Sequence, residues 1–323
     1  MRNGRMDDQV VVIVGASSGL GRATAHAFAR RGATLVLAAR GERPLQEVVG
    51  ECRRLGGEAF SVVGDATDIR DMIGLAQIAV DLFGGIDVWI NNAGTGAVGD
   101  FLDTPMPAHE QVIRTNLMGP LNGAYAAMPV FERQGHGVLI NVNSVGAWSP
   151  TPYSVAYGAS KAGLRGLTRA LRAEYSDCRD IHVCAIYPTF LDTPGLRHGA
   201  NYAGKKVSLP PGAWDVETIA ERIVHLARHP RASHLPGILS RLTRLSDIAA
   251  PHLTETISGF LLGSYLKHAE EVPVSDGVLF EPDETVTGPH GDWPRSALPM
   301  GAAIGIGALG LAAAAFIAAR RLR

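Results

Sequence analysis

A tyrosine and a lysine spaced four positions apart are the side chains in this sequence best suited to proton transfer. They lie in the run Tyr157-Gly158-Ala159-Ser160-Lys161, and residues at this spacing share one face of a helix. A nearby ammonium group stabilises a phenolate, so we expect Lys161 to lower the pKa of Tyr157 and to make it a usable acid and base near neutral pH. An isolated pair of this kind is also common on protein surfaces, so its meaning depends on the rest of the chain.

A glycine-rich loop near the start of the chain has the composition of a phosphate-binding turn. It directly follows the apolar run Val10 to Val14 and opens a helical pattern. At such a junction the helix N-terminus attracts anions, and glycines allow a pyrophosphate to approach the backbone. An ordinary tight turn between a strand and a helix is the alternative. The candidate cofactor-binding residues of this loop are Gly15, Ser17, Ser18, Gly19, Leu20 and Gly21.

The residue that ends the second apolar run bears on the choice of nucleotide. That run closes with Arg40 and carries no carboxylate there, whereas a preference for NAD would call for an acidic partner of the ribose hydroxyl. An arginine suits a 2′-phosphate, so the sequence favours NADP (NADPH). The alternative is that Arg40 begins a solvated loop, since Glu42 and Arg43 follow it.

Taken together, several motifs give the chain a family resemblance. The glycine loop, Asn91-Asn92-Ala93-Gly94, Asn116, Ser144 and the Tyr157/Lys161 pair together resemble the classical short-chain dehydrogenase/reductase (SDR) family over about residues 8 to 230. The resemblance implies that Tyr157 is the general acid that protonates a carbonyl oxygen and that Ser144 orients this oxygen. It also implies that Lys161 holds the nicotinamide ribose and that Asn116 supports a water relay to Lys161.

The resemblance also implies further cofactor contacts. Asp65 and Ala66 would lie against the adenine, and Pro188 and Thr193 would flank the nicotinamide. The cofactor groove would be lined by Asn91, Ala93 and Gly94, together with Tyr157 and Lys161. The sequence departs from the family pattern at three positions: Val14, Asn143 and Thr189.

The elements that must position these residues follow from the alternation of short apolar runs with amphipathic segments. This alternation predicts an α/β fold of the Rossmann type, a doubly wound parallel sheet with helices on both faces. The predicted strands are Val10 to Val14, Thr34 to Ala39, Ala59 to Val63, Val88 to Asn91, Val138 to Val142 and His182 to Tyr187. The predicted helices include Arg22 to Arg31, Asp71 to Phe83, Ala108 to Arg133 and Ala156 to Tyr175.

The chain beyond the predicted sheet divides into several segments. Prolines and glycines predict a long loop over 189–214, and a helix follows with Asp215 as its N-cap. We expect a catalytic Rossmann domain over 1–235, a helical extension over 236–270, an irregular linker over 271–295 and a terminal helix over 296–323. Within that last segment, Ser296 to Ala319 carries no charge and is long enough to serve as a transmembrane anchor. A helix packed on protein is the alternative, because alanine and glycine make its hydrophobicity modest.

Composition and charge argue against nucleic-acid binding, a disulfide scaffold and a metal site. The net charge of −1 offers no electrostatic footprint for nucleic acid. The 3 cysteines follow no disulfide or metal spacing, and we predict no metal site. No secretion signal is apparent, so we expect a cytoplasmic enzyme, associated with a membrane through the terminal segment and, by the family resemblance, homo-oligomeric.

These observations predict an NADP-dependent oxidoreductase. It would transfer hydride between the nicotinamide and a carbonyl or secondary-alcohol substrate, as a reductase, with a lipophilic small molecule as the substrate favoured by a membrane-proximal location. The alternative is a catalytically silent SDR-fold protein that senses a nucleotide or acts as a scaffold. That alternative predicts the loss of one of the four residues Asn116, Ser144, Tyr157 and Lys161, all of which are present.

Overall fold

A computed structural model describes residues 6–210, 213–285, 288–291 and 293. The strands are β1 (Val10–Val14), β2 (Thr34–Ala39), β3 (Glu58–Val63), β4 (Val88–Asn91), β5 (Ala97–Val98), β6 (Gly137–Val142), β7 (Ile181–Ile186), β8 (Ala200–Asn201) and β9 (Ser233–His234). The α-helices are α1 (Gly19–Ala29), α2 (Glu42–Arg54), α3 (Ile69–Phe83), α4 (Met106–Ile113), α5 (Gly119–Gln134), α6 (Val155–Glu174), α7 (Pro194–Arg197), α8 (Val216–Arg228), α9 (Gly237–Ala249) and α10 (Pro251–His268).

The main sheet of the described chain has the order β3-β2-β1-β4-β6-β7-β9, and its strands pair in parallel. Its central strands are continuous apolar runs because both faces of the sheet are covered by helices. The strand order reverses between β1 and β4, since the chain builds β1, β2 and β3 outward and then returns to the other side of β1. In folds of this kind ligands bind at the carboxyl ends of the strands beside that reversal.

Two hydrophobic layers hold the helices against the sheet. One layer includes Phe28 of α1, Leu45 of α2 and Ile223 of α8, and the other includes Leu75 of α3 and Phe131 of α5. The five named side chains are fully buried. Helices therefore cover both faces, and the predicted doubly wound α/β fold is confirmed.

The predicted strands agree with the structure to within one residue at either end. The strand β9 was not predicted, because Ser233 and His234 form no apolar run. The single helix predicted over Ala108 to Arg133 is α4 and α5 joined by a π-helical turn at Arg114–Met118. The predicted loop over 189–214 contains the short elements α7 and β8.

The chain after α8 forms the edge strand β9 and the helices α9 and α10, and then continues without a further helix or strand from residue 269 through the remaining described residues. In the part of the chain that the structure describes, no helix combines the length and apolarity needed to cross a bilayer. The predicted anchor over 296–319 lies outside the described residues.

Candidate active site

Tyr157 and Lys161 lie in the first turns of α6, as their spacing predicts. The Lys161 side chain is buried, with 5% of the residue exposed, and its Nζ donates to the Val142 carbonyl at 3.2 Å. The same Nζ lies 5.7 Å from the centre of the Tyr157 ring. The two groups are therefore close neighbours in an environment with little water.

The pKa of Tyr157 departs from the sequence-based expectation. Burial raises this pKa, and a hydrogen bond with Ser144 offsets part of the rise. Burial also lowers the pKa of Lys161 to about 8. The net shift is therefore opposite in direction to the lowering that the sequence predicts, because loss of solvent outweighs the hydrogen bond with Ser144. Tyr157 is protonated at neutral pH, as a tyrosine of ordinary pKa also is, and this is the form that can donate a proton.

Ser144 is held at the end of β6 by a short 3₁₀ turn over Val145–Ala147. Its Oγ accepts a hydrogen bond from the Gly146 amide at 3.1 Å, which fixes the hydroxyl beside Tyr157. A Cβ at Gly146 would lie 3.2 Å from the Tyr157 ring, so glycine leaves the phenol its space. The structure thus brings Ser144 and Tyr157 together as the sequence predicts.

Asn116 lies fully buried within the π-helical turn that joins α4 and α5. Its side chain accepts from the Thr95 amide at 2.8 Å and donates to the Thr95 carbonyl at 2.8 Å and to Ser160 Oγ at 3.2 Å. A Cβ at Gly94 would lie 3.4 Å from Asn116 Oδ1 and 3.7 Å from Lys161 Nζ, so these residues meet at one point. Sequence reasoning missed Thr95 because its contribution is made by its backbone.

Asn143, one of the departures from the family pattern, connects two catalytic candidates. Its Oδ1 accepts from the Ser144 amide at 2.8 Å, and its Nδ2 donates to the Lys161 carbonyl at 3.2 Å. The substitution therefore ties the end of β6 to α6. Neither contact is visible in the sequence, since both depend on how β6 and α6 pack.

The glycine loop lies between β1 and α1 and is braced by the segment after β4. Gly15 has a φ of +85°, and a Cβ there would lie 2.6 Å from the Ala93 backbone. A Cβ at Gly21 would overlap the Gly15 carbonyl oxygen, which accepts a hydrogen bond from Asn92 Nδ2 at 2.7 Å. Asn92, which belongs to the motif after β4 but is not among the predicted site residues, therefore fixes the loop directly.

Asn91 is placed differently from the other residues of that motif. Its side chain lies in the core, where it accepts from Trp89 Nε1 at 2.8 Å and donates to Asn141 Oδ1 at 2.9 Å and to the Pro120 carbonyl at 3.2 Å. Any cofactor contact is left to its backbone. The same holds for Leu20, whose side chain is part of the core.

The predicted adenine-side residues follow β3. The Asp65 amide donates to Asp71 Oδ2 at 2.8 Å, and Asp65 Oδ1 accepts from the Thr67 amide at 2.8 Å. The Ala66 carbonyl accepts from Asn122 Nδ2 at 3.0 Å. These contacts fix the turn after β3 at the carboxyl edge of the sheet.

The predicted nicotinamide-side residues follow β7. The Pro188 carbonyl accepts from the Val145 amide at 3.1 Å, which holds this segment beside the Ser144 turn. A Cβ at Gly19 would lie 3.3 Å from Thr193, so Thr193 reaches the glycine loop. Of two aromatic residues on this segment, Tyr187 is buried, with its ring centre 4.3 Å from that of Trp148, whereas Phe190 is exposed.

Arg40 is at the end of β2, as predicted, but its guanidinium is not free. It donates to the backbone carbonyls of Val278 at 2.8 Å, Phe280 at 2.9 Å and Leu279 at 3.4 Å. The expectation that Arg40 faces a solvated loop or an open phosphate site is therefore not met in this conformation.

The residues of this groove fit a nicotinamide dinucleotide. Ser18, the N-cap of α1, makes no capping side-chain hydrogen bond to a described residue, which leaves the helix N-terminus to other acceptors. The Oγ1 atoms of Thr95 and Thr189 are buried without a hydrogen-bond partner in the described chain. Unsatisfied groups and a glycine-lined loop at the strand reversal are what a bound dinucleotide would require.

A comparison with family models decides what this arrangement is. The model described as short chain dehydrogenase matches residues 9–201, a span that contains the glycine loop, Asn116, Ser144, Tyr157 and Lys161. The chain belongs to the short-chain dehydrogenase family. A short-chain dehydrogenase is an oxidoreductase that uses a nicotinamide cofactor, so these are properties of the chain as well.

Known relatives agree with this assignment. YxnA of Bacillus subtilis, named an uncharacterized oxidoreductase, is 31% identical over 86% of this chain and 79% of its own length. An alcohol dehydrogenase from the archaeon Thermococcus sibiricus, complexed with 5-hydroxy-NADP, has a TM-score of 0.62 and 27% identity over 70% of this short-chain dehydrogenase and 94% of its own chain. Levodione reductase has a TM-score of 0.63 and 26% identity over 72% of this chain and 96% of its own.

Proposed function

We propose that this short-chain dehydrogenase reduces a carbonyl compound to a secondary alcohol with NADPH, using Tyr157 as the general acid. The observation that carries the proposal is the Tyr157 phenol, hydrogen-bonded to Ser144 and next to the buried Lys161. The phenol is protonated at neutral pH, as a proton donor in reduction must be.

Each residue of the site has a distinct part in this proposal. The Ser144 hydroxyl, fixed by the Gly146 amide, holds and orients the substrate oxygen. Tyr157 gives its phenolic proton to that oxygen as negative charge develops on it. Lys161 places a positive charge beside the phenol, and Asn116 fixes the segment at Gly94 and Thr95 next to Lys161. When bound, the nicotinamide supplies the hydride.

Arg40 supports NADP rather than NAD as the cofactor. It is the residue at the end of β2, where an acidic side chain would be needed to accept from a ribose hydroxyl. A guanidinium at this place favours a 2′-phosphate. The relative from Thermococcus sibiricus, complexed with an NADP derivative, is consistent with this choice.

The substrate is proposed only at the level of its class. Phe190 is 51% exposed on the segment after β7, close in sequence to Pro188 and Thr193, and offers an apolar surface on the nicotinamide side. An apolar ketone or aldehyde suits such a surface better than a charged one.

A panel of ketones, aldehydes and alcohols, followed by NADPH absorbance, tests this function. We expect turnover of at least one carbonyl compound by the wild type, with the Tyr157→Phe variant as the matched control. Absence of turnover across a broad panel, with NADPH bound, would favour the nucleotide-sensing alternative.

A further inference from the structure

The chain after α10 crosses the cofactor groove. We call residues 276–285 and 288–291 the strap. The strap begins beside β8, where Ser275 and Asn201 exchange backbone hydrogen bonds of 2.7 and 2.9 Å. It then passes over Arg40. It returns to the start of α1 and ends beside α7. Its path thus covers both the adenosine end and the central part of the groove.

At the adenosine end the strap occupies Arg40. Three carbonyl oxygens, those of Val278, Leu279 and Phe280, surround its guanidinium at 2.8 to 3.4 Å. Carbonyl oxygens carry partial negative charge, and here they accept the hydrogen bonds that a 2′-phosphate would accept. The same N–H groups of Arg40 cannot donate to the strap carbonyls and to a 2′-phosphate at once.

At the glycine loop the strap occupies the start of α1. The Gly288 carbonyl accepts a hydrogen bond of 3.0 Å from the Gly19 amide. This amide is at the N-terminus of the helix, where unpaired N–H groups and the helix dipole attract a pyrophosphate. A second contact that an anionic cofactor would use is therefore taken by the same segment.

Side chains hold the strap in this place. Leu279 is fully buried in a cluster with Ala97, Ala108 and Ala200. Gly277 has a φ of +51° and lies so close to the His198 carbonyl that a Cβ would overlap it. These contacts show that the strap packs specifically on the body.

The far end of the strap is anchored beside α7. The Gly291 carbonyl accepts from Arg197 at 3.2 Å, and the Gly291 amide donates to Asp192 Oδ1 at 3.1 Å. Just beyond the strap, Trp293 Nε1 donates to the Thr193 carbonyl at 3.2 Å. The Arg197 guanidinium also lies 5.6 Å from the centre of the Trp293 ring.

We propose that the strap is an intramolecular competitor of the dinucleotide. The cofactor binds when the strap leaves Arg40 and Gly19, and the docked strap closes the groove. This competition rests on one part of the proposed function, the binding of a nicotinamide dinucleotide in the groove. Because the binding-competent state is then a fraction of the molecules, the apparent affinity is lowered by that fraction. A partner that captures the strap would activate the enzyme.

A disulfide that locks the strap down tests the competition directly. A Cβ at Gly41, at the rim of the groove, would lie 3.7 Å from Pro282 Cβ of the strap. This separation matches that of a disulfide, about 3.8 Å, and Gly41 has a φ of −82°, which cysteine adopts without strain. The variant is the full-length double substitution Gly41→Cys and Pro282→Cys.

The measurement is NADPH binding, by calorimetry and by cofactor fluorescence, before and after reduction of the disulfide. We expect the oxidised protein to bind NADPH at least about tenfold more weakly than the reduced protein, because locking removes the open population. The single variants Gly41→Cys and Pro282→Cys control for the substitutions and for mispairing with the exposed Cys178. Both should bind NADPH equally with and without reductant.

The possible outcomes separate the two proposals. Equal binding by the oxidised and reduced double variant overturns the competition and leaves the proposed reaction standing. A reduced protein that binds neither NADPH nor NADH overturns both proposals. Failure of the two cysteines to pair means that the strap does not rest against Gly41, which also overturns the competition.

A loosened strap should have the opposite effect. Trp293→Ala removes one hydrogen bond and one cation–π contact from the anchor beside α7. We expect NADPH to bind about threefold to tenfold more tightly, the range that such contacts are worth. The matched control is Phe280→Ala, which keeps the carbonyl that accepts from Arg40 and removes a side chain that is 39% exposed, so that NADPH affinity should change less than in Trp293→Ala. Weaker NADPH binding by Trp293→Ala would contradict the competition.

Discussion

Tyr157 is the residue whose loss separates chemistry from binding. In the proposed reaction its phenol supplies the proton, while the cofactor groove is built largely from the glycine loop and backbone groups. We expect Tyr157→Phe to lower kcat by about 10² to 10⁴, the usual contribution of a general acid, and to leave the NADPH dissociation constant within about twofold. Steady-state kinetics on the identified substrate and a binding titration measure the two effects. Turnover by Tyr157→Phe within a few-fold of wild type would contradict the assignment.

Arg40 is the residue on which the cofactor preference depends. In Arg40→Asp a carboxylate would repel a 2′-phosphate and could accept from a ribose hydroxyl. We therefore expect wild type to bind NADPH more tightly than NADH and the variant to lose or reverse this order. Parallel titrations of both cofactors measure it. Arg43→Asp is the matched control, because the Arg43 side chain is 73% exposed and pairs with Glu47. Arg43 contacts the strap through its backbone amide, which donates to Glu284 at 3.3 Å and which the substitution keeps.

Residue types and spacings predicted the candidate catalytic set, because the roles proposed for Tyr157, Lys161, Ser144 and Asn116 depend on their side chains. Sequence could not give the direction of the Tyr157 pKa, since that depends on how much solvent the fold removes. Nor could it show that the Asn91 side chain serves the core. A motif gives the position of a residue in the sequence, whereas packing decides where its side chain lies and how much solvent reaches it.

At the scale of elements, the six longer strands of the main sheet were predictable because each is mostly apolar in a sheet covered on both faces. The two-residue strands β5, β8 and β9 are too short to give this signal. The π-helical turn at Arg114–Met118 was not, since its sequence keeps a helical pattern through the turn. The turn lies where Asn116 must reach Thr95 and Ser160, so its cause is the site and not local propensity. Such turns occur often at functional sites.

The junction of β1, the glycine loop and α1 requires a residue without a Cβ at Gly21. In Gly21→Ala the new Cβ would overlap the Gly15 carbonyl and press on Asn92 Nδ2 at 2.6 Å, so that the loop and its brace must shift. We expect a loss of about 1 to 3 kcal/mol in the free energy of unfolding and weaker NADPH binding. Denaturant unfolding and cofactor titration measure both.

The matched control for this junction is Gly74→Ala in α3. A Cβ there meets no atom within 4 Å among the described residues, and alanine favours the helix. This variant should gain about 0.4 to 1 kcal/mol and bind NADPH as wild type does. Equal effects of the two substitutions would mean that close packing at Gly21 has no special part in the loop.

At the scale of the whole molecule, the contacts of the strap join residues far apart in the sequence. Arg40 binds carbonyls at 278–280, and the sequence pattern could identify this segment only as irregular. Backbone carbonyls are the same at every residue, so no side-chain signal marks them. The path of such an irregular segment is set by the surface against which it packs, and this surface exists only in the folded protein.

A buried charged cluster connects α1 to α2 behind the glycine loop. Arg22, which is 5% exposed, donates to both Glu51 oxygens at 2.7 and 2.9 Å, and His26 Nε2 lies 2.8 Å from Glu51 Oε2. Burial alone would raise the pKa of Glu51, but the hydrogen bonds from Arg22 and His26 outweigh it and hold this pKa below 4.5. Burial also holds the pKa of His26 below 6.5, against the opposing effect of Glu51.

Both shifts make the folded protein less stable in acid. As the pH falls below 6.5, the unfolded chain protonates His26 before the folded chain does, and stability declines. Below 4.5 the unfolded chain likewise protonates Glu51 first, and the stabilisation that this carboxylate supplies above 4.5 is lost. We expect the urea midpoint to fall progressively from about pH 7 to pH 4.

The Glu51→Gln variant tests whether this cluster carries the acid sensitivity of the fold. It should lose roughly 1 to 3 kcal/mol at pH 7, because the buried Arg22 then keeps only the longer ion pair with Glu47. Its stability should change less than that of wild type below pH 4.5. Glu47→Gln is the matched control, since Glu47 lies 3.7 Å from Arg22 and is 37% exposed, so its removal should have a smaller effect. A Glu51→Gln protein with the wild-type midpoint at pH 7 and the wild-type slope in acid would place the acid sensitivity elsewhere in the molecule.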